Sequence, residues 1–237
     1  MEVKTLGTYY KLLIQCFCCL FWINANAQDT VVVSKNFLFN DGIYLTLESF
    51  QQNQPDLHWD SVKTNIFTNP QTFLTQIEFI KLRNQTENKN LDLENIWGIS
   101  LAGIPYIRLD KKAVKKDLTV FAGLQLRGKI CYFTYEDYVT KKILMPVYNP
   151  VTGRPYRVAE IERESLERYK KIMRFDTGEI VDFNPENVRL WTADDQQLIR
   201  SMNELSAPAL EERLFKILLI YDDRNKVQII SNRKVEN

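Results

Sequence analysis

Two pairs of adjacent carboxylates, Asp194-Asp195 and Asp222-Asp223, are the side chains in this sequence best suited to chemistry. At the right separation, two carboxylates work as acid and base on a glycosidic bond, and in other settings they hold calcium. Each pair also has a structural explanation. Asp194 or its neighbour Thr192 stands where a helix would begin, and such side chains cap free amides. Asp222-Asp223 stands where the following helix would end, and negative charge there opposes the helix dipole, so its structural excuse is weaker. The single histidine, His58, lies in Asp56-Leu57-His58-Trp59-Asp60, with no GxSxG nucleophile motif elsewhere, and reads as a surface residue. HExxH and Cys/His zinc patterns are missing, and the eight glycines form neither GxGxxG nor a P-loop. No catalytic residue, cofactor or metal is assigned.

Aromatic residues carry the positive hint of binding. Trp97, Tyr106, Tyr132 and Tyr138, with Tyr148 and Tyr156 beyond them, fall in a β-rich stretch, where a sheet face could stack sugars or grip a peptide. The first four are the candidate partner-binding residues. Asn84-Gln85-Thr86 matches the N-glycosylation sequon, and Asp29-Thr30-Val31 and Asp60-Ser61-Val62 resemble acceptor sites for bacterial O-glycosylation.

The elements that must position these residues follow from periodicity and turn chemistry. Val31–Val33 and Ile43–Thr46 are strand-like, and Leu47 to Gln52 predicts a short helix stopped by Pro55. Phe73 to Leu82 leans to strand, with Phe73, Ile77 and Phe79 on one face. Ile96–Ser100 and Ile104–Leu109 flank Ala102-Gly103 as a hairpin, and strands continue through Leu118–Leu126 and Lys129–Tyr135, with Gly128 at the turn. Asn149–Pro155 is the clearest break in the chain. Beyond it, Glu164 with Arg168 and Glu167 with Lys171 set opposite charges at helical spacing, which supports a helix over 160–171 and leaves a strand as the alternative there. Lys170–Phe175 and Glu179–Phe183 flank Asp176-Thr177-Gly178 as a second hairpin. Leu198, Ile199, Met202 and Leu205 mark one helix face, and Leu210, Leu214, Phe215, Leu218 and Leu219 the buried face of another over Pro208–Tyr221. Val227–Ile230 reads as a last strand. The expected fold class is α+β: an antiparallel β-rich part over 28–150, packed with a helical part over 151–237.

Residues 1–27 have the build of a secretory leader. Lys4 and Lys11 supply the charge, Leu12 to Ile23 the apolar run, and Ala25-Asn26-Ala27 the small-x-small cut site, with Gln28 as the new N-terminus. Twelve apolar residues fall short of the roughly 20 that a membrane-spanning helix needs. None of Cys16, Cys18 and Cys19 follows the small residue that a lipoprotein peptidase requires. Removing the leader takes away three of four cysteines and leaves Cys131, which shares a strand face with Phe133 and Tyr135 and reads as core. It also leaves 29 basic and 29 acidic residues, an even balance without the basic footprint of a nucleic-acid binder. The densest basic run, Lys111 to Lys116, reads as a solvated loop or a charged strand edge.

Gly42-Ile43-Tyr44-Leu45-Thr46-Leu47-Glu48-Ser49-Phe50, running on to Asn53-Gln54-Pro55, resembles the opening box of a group of small exported bacterial proteins of unknown function. Trp97-Gly98 with Gly103, Tyr106 and Ile107 fits the W-G…G-x-x-Y-I hairpin of the same group. The resemblance implies export and a single α+β unit, and it brings no ligand or catalytic residue. The expectation is an exported, periplasmic or extracellular binding protein with an envelope protein or glycan as partner, no nucleic acid and no membrane span after cleavage. A carboxylate-dependent glycan hydrolase using Asp194, Asp222 or Asp223 is the rival, and a structural subunit of a surface assembly the third alternative. N-terminal sequencing of the exported product should begin at Gln28; an intact Met1 on a folded, membrane-bound product would overturn the leader.

Overall fold

The computed structural model describes residues 30–34, 36–83, 90–110 and 118–230. The leader with its cut at Ala25, Ala27 and Gln28, the Asn84 sequon and the Lys111–Lys116 run lie outside them. The chain divides into Val31–Ile229 and a second unit, Met1–Thr30 with Ile230–Asn237, of which Thr30 and Ile230 alone are described. Val31–Ile229 carries the large sheet, the long ribbon and all the described helices.

The largest element of that unit is a six-stranded antiparallel sheet in the order β2-β5-β6-β7-β4-β3. The strands are β2 (Gly42–Tyr44), β3 (Val62–Asn69), β4 (Leu74–Leu82), β5 (Gly98–Leu101), β6 (Ile104–Arg108) and β7 (Thr119–Gly123). The β5–β6 hairpin turns on Ala102 and Gly103, both at positive φ (52° and 74°), the signature of a turn whose twist matches the strands. Asp41 fixes that turn. Its carboxylate accepts the N–H groups of Ala102 and Gly103 at 3.0 and 2.8 Å and the Ser100 hydroxyl at 3.1 Å. In β4, Thr75, Ile77 and Ile80 are buried while Phe79 is not. A bulge sets Glu78 and Phe79 against Asn65 alone, and the face changes there.

The residues of the N-terminal box build the framework. Gly42 sits at φ +155°, and a Cβ there would lie 2.5 Å from the Leu57 carbonyl and 2.6 Å from the Pro55 ring. Asn40 donates its N–H to Asn53 Oδ1 and its side-chain amide to the Asn53 carbonyl, each at 2.7 Å, while the Tyr44 hydroxyl donates to the Asn40 carbonyl at 2.6 Å. Helix α1 (Leu47–Gln51) is capped by Thr46, whose hydroxyl accepts the Ser49 N–H while Ser49 reaches back. It presents Phe50 inward. That ring stacks on Phe39 at 4.8 Å and meets Trp97 at 4.5 Å, Phe175 at 5.5 Å and Tyr44 at 5.7 Å.

Two long strands, β8 (Ile130–Tyr148) and β9 (Pro155–Arg174), pair antiparallel along nearly their whole length, and β10 (Ile180–Asp182) adds to the base of β9. Their root is buried on both faces. Cys131, Phe133 and Met173 join the core around Phe50, whereas Ile130, Tyr132 and Ile172 face α2 (Pro185–Trp191), α3 (Gln196–Asn203) and α4 (Ala207–Arg224). β1 (Thr30–Val33) and β11 (Val227–Ile230) form a two-stranded sheet. No helix among the described residues is long and apolar enough to cross a membrane.

The expected α+β class is overturned. Among the described residues the protein is strand-dominated, 46% strand against 24% helix. The predicted helix over 160–171 is the middle of β9, because its charges pair across the ladder to β8: Arg168 with Glu136 at 2.6 Å, Lys142 with Glu160 at 2.7 Å, and Lys141 with Glu167. The break at Asn149–Pro155 is the turn of this one hairpin, and β8 and β9 pair across it. In α4, Leu210, Leu214, Ile217 and Leu218 are buried, while Phe215 and Leu219 stay substantially exposed. Replacing Phe50 with Ala, which empties the site where four other rings meet, should cost about 3–5 kcal/mol; urea melts of the two proteins check this, and a loss below ~1 kcal/mol would deny Phe50 that role.

Candidate functional site

The candidate carboxylates do not converge. Asp194 lies in the link between α2 and α3 and lines a cleft of about 250 Å³ with Lys129, Arg174, Asp176, Trp191 and Tyr221. Its carboxylate accepts the Tyr221 hydroxyl at 2.9 Å and the Lys129 ammonium at 3.0 Å. Burial opposes the charge, but the hydrogen bonds from Lys129 and Tyr221 prevail and hold its pKa below the usual carboxylate range. The ammonium of Lys129 also stands 5.3 Å over the Tyr221 ring, and the Arg174 guanidinium 4.8 Å over Trp191. Two cations and two carboxylates therefore share this cleft, and Asp194 within it is an ion already neutralised by its partner. The helix cap predicted at Asp194 or Thr192 belongs to Asp195, which accepts the Leu198 N–H at 2.9 Å and holds Arg224 at 2.8 Å.

Asp222 turns away from the cleft. Helix α4 runs on through Arg224, so Asp222 sits in its last turn, buried, and accepts the backbone N–H of Lys129 at 3.0 Å. A Cβ on Gly128 would lie 1.5 Å from Asp222 Oδ1, so only glycine admits the carboxylate. The contact ties the start of β8 to the end of α4. Asp223 is exposed and pairs with Lys226 at 2.7 Å. His58 is exposed, and its carbonyl accepts the N–H and hydroxyl of Ser61. Among the described residues no cluster of His, Cys, Asp and Glu could hold a metal ion. Cys131 is buried, and desolvation pushes its thiol up to about 12, which makes it inert.

Of the four aromatic candidates, three belong to packing. Trp97 is half-buried against Phe50, Tyr106 lies in the core of the six-stranded sheet, and Tyr132 is wedged between Phe183 at 4.9 Å and Phe215 at 5.0 Å. Tyr138 alone faces solvent, 52% exposed, and it stands on the β8–β9 ribbon. There a different surface emerges. From Thr134 to Lys171 no residue of either strand is fully buried, so beyond Glu136 the ribbon is an arm about 40 Å long at ~3.3 Å per residue, with no other described element layered on either face.

The arm has two zones. Its stem carries the cross-strand ion pairs described above, with Tyr135 stacked on Tyr169 at 5.1 Å near the base. Past the Lys142–Glu160 pair, residues 143–159 contain no acidic side chain and two arginines, Arg154 and Arg157. Leu144 is 72% exposed, Val151 90% and Tyr156 61%, with Met145, Tyr148 and Val158 also exposed. Cross-strand partners share a face, so Pro146 stands beside Val158 and Ile143 beside Ile161. The arm's signal was present in the composition of 143–159, where three of the eight prolines fall within ten residues and acids are missing.

Asp222 carries a consequence for stability. Burial lifts its pKa to about 6, against an ordinary value of 3.8, while the Lys129 N–H pulls the other way. Between pH of about 4 and 6 the folded protein holds a proton there that the unfolded chain has released, so stability should fall as pH rises through that window. Asp222→Asn keeps an acceptor for the Lys129 N–H and should flatten the profile. Unfolding free energies measured across the window in both proteins decide this, and parallel profiles would exonerate Asp222.

No protein family, curated protein or solved structure matches this chain, and the function rests on the geometry of these surfaces.

Proposed function

We propose that this is an exported, non-enzymatic interaction protein that engages an envelope partner through the tip of its β8–β9 arm. The charge, apolar run and cut site of residues 1–27 support export. One observation carries the binding role: a contiguous run of exposed apolar and tyrosine side chains at the end of an arm on which no other described element packs. Isolated exposed apolar residues are ordinary, but a continuous patch marks a contact surface. The charged stem keeps that patch away from the core, and two cores hold its root. Catalysis has no comparable support, because Asp194 is neutralised by Lys129, Asp222 is buried behind Gly128, and Asp223 pairs with Lys226 in solvent.

A second reading, a subunit of a surface assembly, is favoured by the outer edges of the arm, which pair with no other strand among the described residues. Lys141, Lys142 and Pro146 along β8 and Pro155 on β9 oppose the strand addition it would need. The test is retention. Leu144→Ser combined with Tyr156→Ser alters two exposed side chains without touching the core, and should move most of the protein from the washed envelope fraction to the soluble one. Equal retention of the wild type and the double variant would take the arm out of the function.

A further inference from the structure

We infer that the partner of the arm tip is a lipid surface bearing anionic headgroups, into whose interface the hairpin end dips. The inference rests on the reading of the arm as the binding element and names what that element meets.

Three independent features of the tip agree on this occupant. The first is charge. Residues 143–159 hold Arg154 and Arg157 and no acid, and neither arginine is in an ion pair among the described residues. The Arg157 guanidinium lies 5.6 Å over the Tyr156 ring, on the same stretch as Val158. Apolar side chains interleaved with arginine and tyrosine match the layering of an interface, where hydrocarbon, ring and headgroup phosphate succeed one another within a few ångströms.

The second is the backbone. An irregular turn enters a dry environment only if its amides are already bonded. Asn149 donates its N–H to the Arg154 carbonyl at 2.8 Å, and Gly153 donates to the Asn149 carbonyl at 2.8 Å. Asn149 Oδ1 accepts the N–H groups of Val151 at 2.8 Å and Thr152 at 3.3 Å. Pro150 has none. Every N–H from Asn149 to Gly153 is thus bonded inside the turn, although Val151 within it is 90% exposed.

The third is the boundary. The apolar zone ends at the Lys142–Glu160 pair, and the stem below it, residues 136–142 and 160–168, holds six carboxylates against four basic side chains, Glu167 being paired with Lys141 and Glu136 with Arg168. Carboxylates at that height are repelled by an anionic surface and limit entry to the tip. A second copy of this chain is a poorer occupant, since tip-to-tip contact would set Arg154 and Arg157 against their own copies, and Pro146 and Pro155 break the edges that strand pairing would use.

The test is cosedimentation of the full chain with vesicles of phosphatidylcholine alone and of phosphatidylcholine mixed with phosphatidylglycerol, beside Arg154→Gln/Arg157→Gln and Val151→Asp. All forms carry the same N-terminus, so differences among them belong to the tip, and unchanged circular dichroism and Tm establish that each is folded. The wild type should prefer the mixed vesicles roughly thirtyfold, the increment expected of two basic residues at an anionic surface. The double arginine variant should lose that preference, and Val151→Asp should weaken binding to both vesicles about tenfold or more, as a charge replaces an inserted apolar side chain. Absence of wild-type binding, binding that all three proteins share equally, or a tip-dependent dimer in light scattering without vesicle binding would each overturn the inference. These vesicles contain no envelope protein, so their failure beside tip-dependent envelope retention removes the lipid and leaves the arm as the binding element.

Discussion

The meeting of four aromatic rings around Phe50 is the contact on which the rest of this structure depends. A two-stranded ribbon in water is marginally stable by itself, and here one projects with no layer beneath it among the described residues. Its strands must therefore be set at the root. Phe50 does this from one face, touching Tyr44 of the six-stranded sheet, Trp97 just before β5 and Phe175 just after β9. The next residue of the same helix, Gln51, donates its amide to the carbonyls of Phe175 and Asp176 at 2.6 and 2.8 Å. One turn of helix thus clasps both the sheet and the ribbon. On the other face, Ile130, Tyr132 and Ile172 are pinned by the three C-terminal helices, with the Asp222 contact to Lys129 as the polar latch.

Much of the framework was legible because its signals are local. Ala102-Gly103 marks a turn that only positive φ permits, Thr46 stands ahead of a short apolar helix, and Leu210, Leu214 and Leu218 keep helical time. The arm was misread because its partner lies far away in sequence. Glu164 with Arg168 and Glu167 with Lys171 satisfy helical spacing, yet Arg168 and Glu167 find their true partners in Glu136 and Lys141, some thirty residues earlier. An alternation of charges with Ile161, Leu166 and Tyr169 serves either geometry, and only the opposite strand decides. The turn at Asn149–Pro155 was visible as a turn, but a turn between two domains and a turn at a hairpin tip have the same composition.

The site was hidden for a related reason. Aromatic content points to surfaces and cores alike, and Trp97, Tyr106 and Tyr132 went to cores because their strands are covered on both sides. Tyr138, Tyr148 and Tyr156 have the same chemistry and remain exposed because the ribbon outruns its cover. Burial was decided by where the strands pass beyond the helices, which no residue type announces. Asp222 shows the converse: a carboxylate in the last turn of a helix suggested function, but Gly128 opposite it makes room for a structural bond.

Because no other described element packs on the arm, its length is free to change during evolution while the rest of the described fold stays the same. Adding or removing two residues in each strand leaves every remaining side chain on its own face and moves the tip by about 7 Å. No core residue has to be repacked and no loop redesigned. The distance between body and target is therefore an adjustable dimension, written in a ladder of cross-strand pairs, and relatives with longer or shorter arms would differ in reach before they differed in fold.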